Sequence, residues 1–195
     1  MKGIVFTNFA EMVESSFGLD MLDRLLSTSQ LQSGGAYTAV GTYDHREIVT
    51  LVTQLAAETG TPANELLKAF GRYLFSRFAV LYPQLFIGID SAMEFLERVE
   101  EGIHVEVRKL YPDAELPTFT GKRSDADSLV MVYRSSRPFA ALAEGLIAGC
   151  IEHFGEPIVV QMVDDSVNDD TRVQFTLTRQ TEHGRIRAIP TSTRA

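Results

Sequence analysis

The sequence predicts an α+β fold, a helical N-terminal half followed by a mixed half organised on an antiparallel sheet. Three observations carry this. As far as Leu110 the apolar residues recur at helical spacing; from Thr118 onward short β-branched runs enclose one further helix; and an Asp/Asn-rich stretch divides the last two runs as a hairpin turn would.

Residues 3–7 (Gly-Ile-Val-Phe-Thr) are apolar and open to either a short strand or the start of a helix. Asn8 is placed to cap a helix that runs to about Phe17 and stops at Gly18. A second helix carries Leu19, Met21, Leu22, Leu25 and Leu26, followed by a loop from Ser27 to Gly35 and a short extended piece over Ala36–Thr42. Asp44 and Glu47 have the spacing of a capping box, and Ile48, Leu51, Val52 and Leu55 follow on one helical face until Gly60. Thr61 then caps a helix with Pro62 in its first position, bearing Leu66, Phe70, Tyr73, Leu74 and Phe78 and closed by Pro83. From about Ser91 to Leu110 the stripe Leu96, Val99, Ile103, Val107, Leu110 predicts one long helix, broken by Tyr111-Pro112.

Pro117 punctuates a segment that becomes a strand near Thr118–Gly121, and Leu129–Tyr133 is a second strand. The helix after Pro138 has a broad apolar stripe of Phe139, Leu142, Ala143, Leu146, Ile147, Cys150, Ile151 and Phe154, ending at Gly155. Ile158–Val163 and Arg172–Thr178 are the last two strands, around the turn Asp164–Asp170. Thr181–Ala195 has too little apolar content to order itself, so residues 1–180 are expected to form the domain and 181–195 a disordered tail. No interdomain linker separates the halves, which read as lobes of one domain.

Composition narrows the function. The 195 residues are 45% hydrophobic and 23% charged, as in an ordinary globular domain. No apolar run approaches the roughly 18 residues of a membrane span, and the opening MKGIVFTNF is too short in its apolar part for a signal peptide. The net charge is −8; Arg185, Arg187 and Arg194 against Glu182 leave the last fifteen residues at +2 and the body at −10, which speaks against nucleic acid. One cysteine excludes an internal disulfide, and a reducing cytoplasm is the expected compartment.

The chemistry-bearing residues are few. His45 stands beside a cap, His153 in a last helical turn and His183 in the tail, all ordinary solvated positions. His104 lies about 100° from the centre of its helix's apolar stripe, on the flank. Such a histidine is more often structural than a ligand; its i−4 neighbour Glu100 reads as a solvated charge and its i+4 neighbour is Arg108. No companions stand at tetrahedral zinc spacing, whereas a single neutral imidazole is what one axial position of a haem requires. Cys150 reads as core. No nucleophile motif or phosphate loop occurs, and no paired-carboxylate site can be picked out, so there is no case for an enzyme. Tyr133, Ser135 and Arg137 alternate at a strand end, and Arg137 is kept out of the helical region by Pro138. A polar strand end facing water is the commoner meaning of that pattern. Its other meaning is a set of donors for one or two carboxylates, since all three side chains donate and arginine does so bidentately.

Taken together, the run Gly102-Ile103-His104-Val105-Glu106-Val107-Arg108-Lys109-Leu110-Tyr111, then Leu116-Pro117, then Tyr133-x-Ser135-x-Arg137, closely resembles the haem nitric oxide/oxygen-binding (H-NOX) domains, similar to the haem domain of soluble guanylate cyclase. Met1-Lys2-Gly3 and Ala143-Glu144-Gly145-Leu146 fit as well, and the resemblance, to the stand-alone bacterial type, covers about residues 1–180. It implies the H-NOX fold: a helical lobe, a lobe with a four-stranded antiparallel sheet and helices, and haem b (ferrous iron protoporphyrin IX) between them. It makes His104 the iron ligand, Tyr133, Ser135 and Arg137 the grip on the propionates, and Pro117 the residue that bends the macrocycle. On the opposite side it implies a lining of Val5, Phe9, Leu74, Phe78, Leu142 and Leu146. Oxygen-binding members place a tyrosine donor where this chain has Leu142, and Tyr73 would have to turn inward to replace it. The resemblance therefore implies a sensor for nitric oxide over oxygen, with carbon monoxide also expected to bind. Breakage of the iron–histidine bond would carry the signal to a histidine kinase or a cyclic-di-GMP enzyme in trans, with no nucleic acid or membrane partner. The alternatives are a haem enzyme of NO dioxygenase or peroxidase type and an oxygen-binding member of the family.

Overall fold

The apolar segment at residues 3–7 is helical: α1 spans Gly3–Phe17, with Lys2 in extended backbone as its N-cap. The computed structural model describes residues 1–167 and 171–180. Asn8 therefore lies inside α1 and is no cap; it is buried and its amide donates to the Ile4 carbonyl at 2.7 Å. The reason α1 starts early is tertiary. The Gly3 N–H, one of the free donors of the first turn, donates to the Gly41 carbonyl at 2.8 Å, and the Met1 ammonium just before it is anchored on the Tyr43 carbonyl at 2.7 Å. A Cβ on Gly3 would fall 1.8 Å from the Thr38 carbonyl oxygen, so only glycine permits this approach. Ala36–Thr42 contributes a single bridge, Lys2 to Thr42, and no strand.

α2 (Leu19–Thr28) and α3 (His45–Thr59) follow. Asp44 caps α3 by accepting from the Arg46 N–H, and Gly60 ends it with φ 70°. Glu47 does not complete the capping box; its carboxylate is buried and accepts from Ser33 and from the Tyr37 hydroxyl. α4 (Ala63–Leu81) begins one residue later than expected, with Pro62 itself as N-cap and no side-chain cap from Thr61. A short 3-10 turn, Pro83–Phe86, closes it.

The expected helix from Ser91 to Leu110 is interrupted. α5 (Ala92–Glu97), capped by Ser91, gives way to a π-turn over Val99–Ile103, and α6 (His104–Leu110) resumes. The Arg98 carbonyl accepts from both Gly102 N–H (2.8 Å) and Ile103 N–H (3.0 Å), the double register of a π-bulge. One extra residue in the turn sets the following face back by about 100°. That rotation moves His104 from the flank onto the buried side, while Ile103, Val107 and Leu110 of the predicted stripe line the cavity between the lobes, Leu110 at 55% exposure.

β1 (Thr118–Asp125), β2 (Ser128–Ser135), α7 (Ala140–Phe154), β3 (Ile158–Asp164) and β4 (Thr171–Arg179) are the remaining elements among the described residues. The four strands form one antiparallel sheet in the order β1-β2-β4-β3. Leu129, Met131 and Tyr133 face the same side of β2 as Val173, Phe175 and Leu177 of β4, all buried. Part of the turn between β3 and β4, and Thr181–Ala195, lie outside the described residues. Among the described residues no helix is long and apolar enough to cross a membrane.

Two cores result. One joins α1–α4 through Phe6, Phe9, Leu51, Leu55 and Phe70; the other packs α5 and α7 on the sheet through Met93, Ile147, Cys150 and Phe175. α4 and α7 serve both, with Leu74 and Leu142 in the first and Phe75 and Ala143 in the second. Their close approach is made by Gly71, Gly145 and Gly149, where added Cβ atoms would lie 2.4, 2.2 and 2.8 Å from atoms of the facing helix.

Candidate functional site

Where the cores diverge, α1, α4, α6, β2 and α7 surround a cavity of about 540 Å³, within the size range of a site for a large organic ligand. Its wall is predominantly apolar and includes Ile4, Val5, Leu74, Phe78, Leu142 and Leu146 from the helices, with Pro117 and Phe119 at the start of β1. His104, Tyr133, Ser135 and Arg137 line it too. Of the expected lining and ligand positions, Phe9 is not in the wall; it is buried in the first core, edge-on to Phe70 at 5.2 Å. Tyr73 is likewise outside the wall. Burial and the neighbouring Glu11 carboxylate push its phenol above the ordinary value.

His104 is buried at 8% exposure, its ring 5.9 Å from that of Phe119, which in turn lies 5.3 Å from Tyr133. Its Nδ1 stands 3.0 Å from the Glu100 carboxylate. Burial lowers the imidazole below its ordinary value, with Glu100 pulling the other way, so the ring is neutral near pH 7. Glu100 is thus not simply a solvated charge. Burial pushes its carboxyl up, but hydrogen bonds from the Phe119 N–H, His104 and Arg108 outweigh that and leave it below the ordinary range. Among the described residues no three His, Cys, Asp or Glu side chains stand close enough to share a metal ion.

The donor triplet is assembled differently from strand alternation alone. β2 ends at Ser135, and the Arg137 N–H donates to Ser135 Oγ at 3.0 Å, a serine turn that brings the guanidinium back over the cavity. Arg137 also donates to the Glu115 carbonyl at 3.2 Å and is ion-paired with the Glu115 carboxylate. Burial pushes the Tyr133 phenol up, opposed by Ser135 and Arg137. Glu115 is a participant the sequence did not flag, as are Tyr82 and Tyr111, which line the cavity with their hydroxyls 3.2 Å apart and bonded to each other. Nothing in local spacing marks them; they meet across the chain. Cys150 is buried core, its thiol directed at the Ala92 carbonyl 3.8 Å away.

A donor cluster beside a deep apolar chamber, with one neutral imidazole in its wall, fits a planar apolar cofactor that carries acidic groups and one open ligand position. Fold and site thus define a two-lobed cofactor-binding domain. The haem-NO-binding family profile matches residues 2–162, and the chain belongs to that family, the H-NOX haem-binding gas sensors. Among solved structures it is similar to the Fe(II) unliganded H-NOX protein of K. algicida, at 39% identity over 93% of this chain and 97% of that one, TM-score 0.84. It is similar too to the IWP-051-bound, Fe(II)CO H-NOX of Shewanella woodyi (39% identity, 97% and 99% covered, TM-score 0.80). The Fe(II)NO H-NOX of S. oneidensis resembles it at 27% identity, with 92% and 100% covered and a TM-score of 0.80. Among curated proteins there is no match.

Proposed function

We propose that this chain is a sensor selective for nitric oxide over oxygen that holds haem b in the cavity and signals to a separate protein. The reading rests on one observation above all: Val5, Leu74, Phe78, Leu142 and Leu146 on the helical side of the cavity are all apolar, and the cavity-lining hydroxyls of Tyr82 and Tyr111 are bonded to each other. Bound haem would supply a ferrous iron able to take a diatomic gas; bound oxygen would gather negative charge and need a donor, whereas NO would not. His104 would hold the iron through the nitrogen that Glu100 leaves free. Arg137, Tyr133 and Ser135 would take the two propionates, for which the guanidinium must leave Glu115, and Pro117 would pack against the ring. Carbon monoxide, equally indifferent to a donor, is a ligand as well.

With haem bound, loss of the His104 tether on NO binding would release α6, which follows α5 across a π-turn, to shift relative to the sheet. Such a change between two packed arrangements can bias a partner that favours one of them. A histidine kinase or a cyclic-di-GMP enzyme acting in trans is the partner expected from the family resemblance, and the chain itself is not an enzyme. The test is spectroscopic. The reduced protein should show an iron–histidine signature that NO abolishes and that His104→Gly lacks. A signature that survives NO counts against tether loss as the trigger. A stable oxygenated spectrum in air removes the selectivity and points to Tyr82 or Tyr111 as donor; catalytic conversion of NO to nitrate would make the protein an enzyme.

A further inference from the structure

Glu100 touches His104 but not the cofactor position, and its carboxylate is held by three donors from three directions. Oε2 stands 3.0 Å from His104 Nδ1 and accepts from the Phe119 N–H at 3.0 Å; Oε1 accepts from Arg108 at 3.3 Å. A carboxylate in this state only accepts, so the ring proton is on Nδ1 and the lone pair on Nε2. Phe119 lies two residues beyond Pro117, at the start of β1. One side chain in the π-turn therefore fixes the tautomer and the angle of the imidazole and ties the turn to the strand beside it.

We propose that Glu100 is a positioning residue that sets the strength of the His104–iron bond and hence how readily NO breaks it. This rests on the haem reading above. The physical basis is that a carboxylate drawing on an imidazole N–H makes the opposite nitrogen a stronger electron donor. Arg108 opposes this: it takes part of the Glu100 charge, weakly, because its side chain is 44% exposed. Two substitutions should therefore move the bond in opposite directions. Glu100→Gln keeps an acceptor for Nδ1–H but loses the charge, which weakens the bond. Arg108→Ala leaves Glu100 with more charge for His104, which strengthens it.

The experiment is resonance Raman measurement of the iron–histidine stretch in the reduced, haem-loaded protein, with the reduction potential measured alongside. Glu100→Gln should lower the frequency and raise the potential, and Arg108→Ala should do the reverse. Glu100→Ala should lose haem on the order of tenfold faster. Were Glu100→Gln to fail to fold, the surface substitution Arg108→Ala still carries the sign. A frequency unmoved by both changes, or moved the same way by both, overturns the role of Glu100 while the haem reading stands. A wild-type protein with no iron–histidine band overturns the haem reading itself, and the inference with it.

Discussion

Gly145→Ala is the sharpest test of how the two lobes are joined. A Cβ at Gly145 would sit 2.2 Å from the Lys68 carbonyl oxygen and 2.9 Å from Gly71 Cα, both backbone atoms of α4. That is about 1 Å short of ordinary contact, and no rotamer change can relieve it, so α4 and α7 must part. Overpacking of this kind costs at the top of, or somewhat beyond, the usual range of about 1–3 kcal/mol. The better helix propensity of alanine returns about 1 kcal/mol. The net loss should be about 2–3 kcal/mol, or a fall of about 4–12 °C in Tm for a chain of this size. Urea titration should show a lower midpoint at unchanged slope. Gly102→Ala is the control: its Cβ would meet nothing nearer than Arg98 Cβ at 3.6 Å, so the same change there should be neutral or stabilise by up to about 1 kcal/mol. A Gly145→Ala protein that melts with wild type would refute the close approach of the two helices.

Leu142→Tyr places a hydroxyl in the donor-free part of the cavity wall. It should slow oxygen dissociation about ten- to a hundred-fold, the worth of one hydrogen bond to a charged acceptor, followed by absorption in air; an unchanged rate would mean that another residue governs the choice of gas. Arg137→Ala removes the strongest donor of the triplet and should cost about 2 kcal/mol of haem affinity, roughly thirty-fold in dissociation rate, read by transfer to apomyoglobin. Retention equal to wild type would dismiss Arg137 as a propionate anchor. Part of the pH dependence of stability comes from His45, whose imidazole is held below the ordinary 6.5 by burial and then by Arg137, with Asp44 opposing. A lowered folded-state value means that, as pH falls through 6.5, the unfolded chain takes up a proton the folded one resists, so stability drops until the folded value is passed. His45→Gln should shrink the loss of urea midpoint between about pH 7 and about pH 5; an identical loss would place it elsewhere.

The residues that were legible in advance are those whose meaning is local. Gly18, Gly60 and Gly155 end helices where the pattern expected, and Ser128–Ser135 extends the strand expected at Leu129–Tyr133 by a residue or two. The misreadings share one cause. Asn8 and Glu47 have the chemistry of caps, but the loop through Thr38–Tyr43 takes over the N-terminal donors of α1, and Ser33 and Tyr37 claim Glu47. Propensity describes a segment alone, and a partner distant in sequence outbids it.

By itself the sequence determined the α+β order of elements, the apolar stripes that become the two cores, and the identity of His104, Tyr133, Ser135 and Arg137 as residues to watch. Only the tertiary structure decided that His104 faces the cavity. Helical periodicity put it on a flank, and the π-turn at Val99–Ile103 turned it inward. Likewise only the folded chain brings Glu100 to His104 and Phe119, and Glu115 to Arg137. A period of 3.6 residues assumes an unbroken hydrogen-bond register. Where packing makes the chain skip that register, as at Arg98, every face beyond it is reassigned, and a residue-by-residue pattern holds no record of the skip.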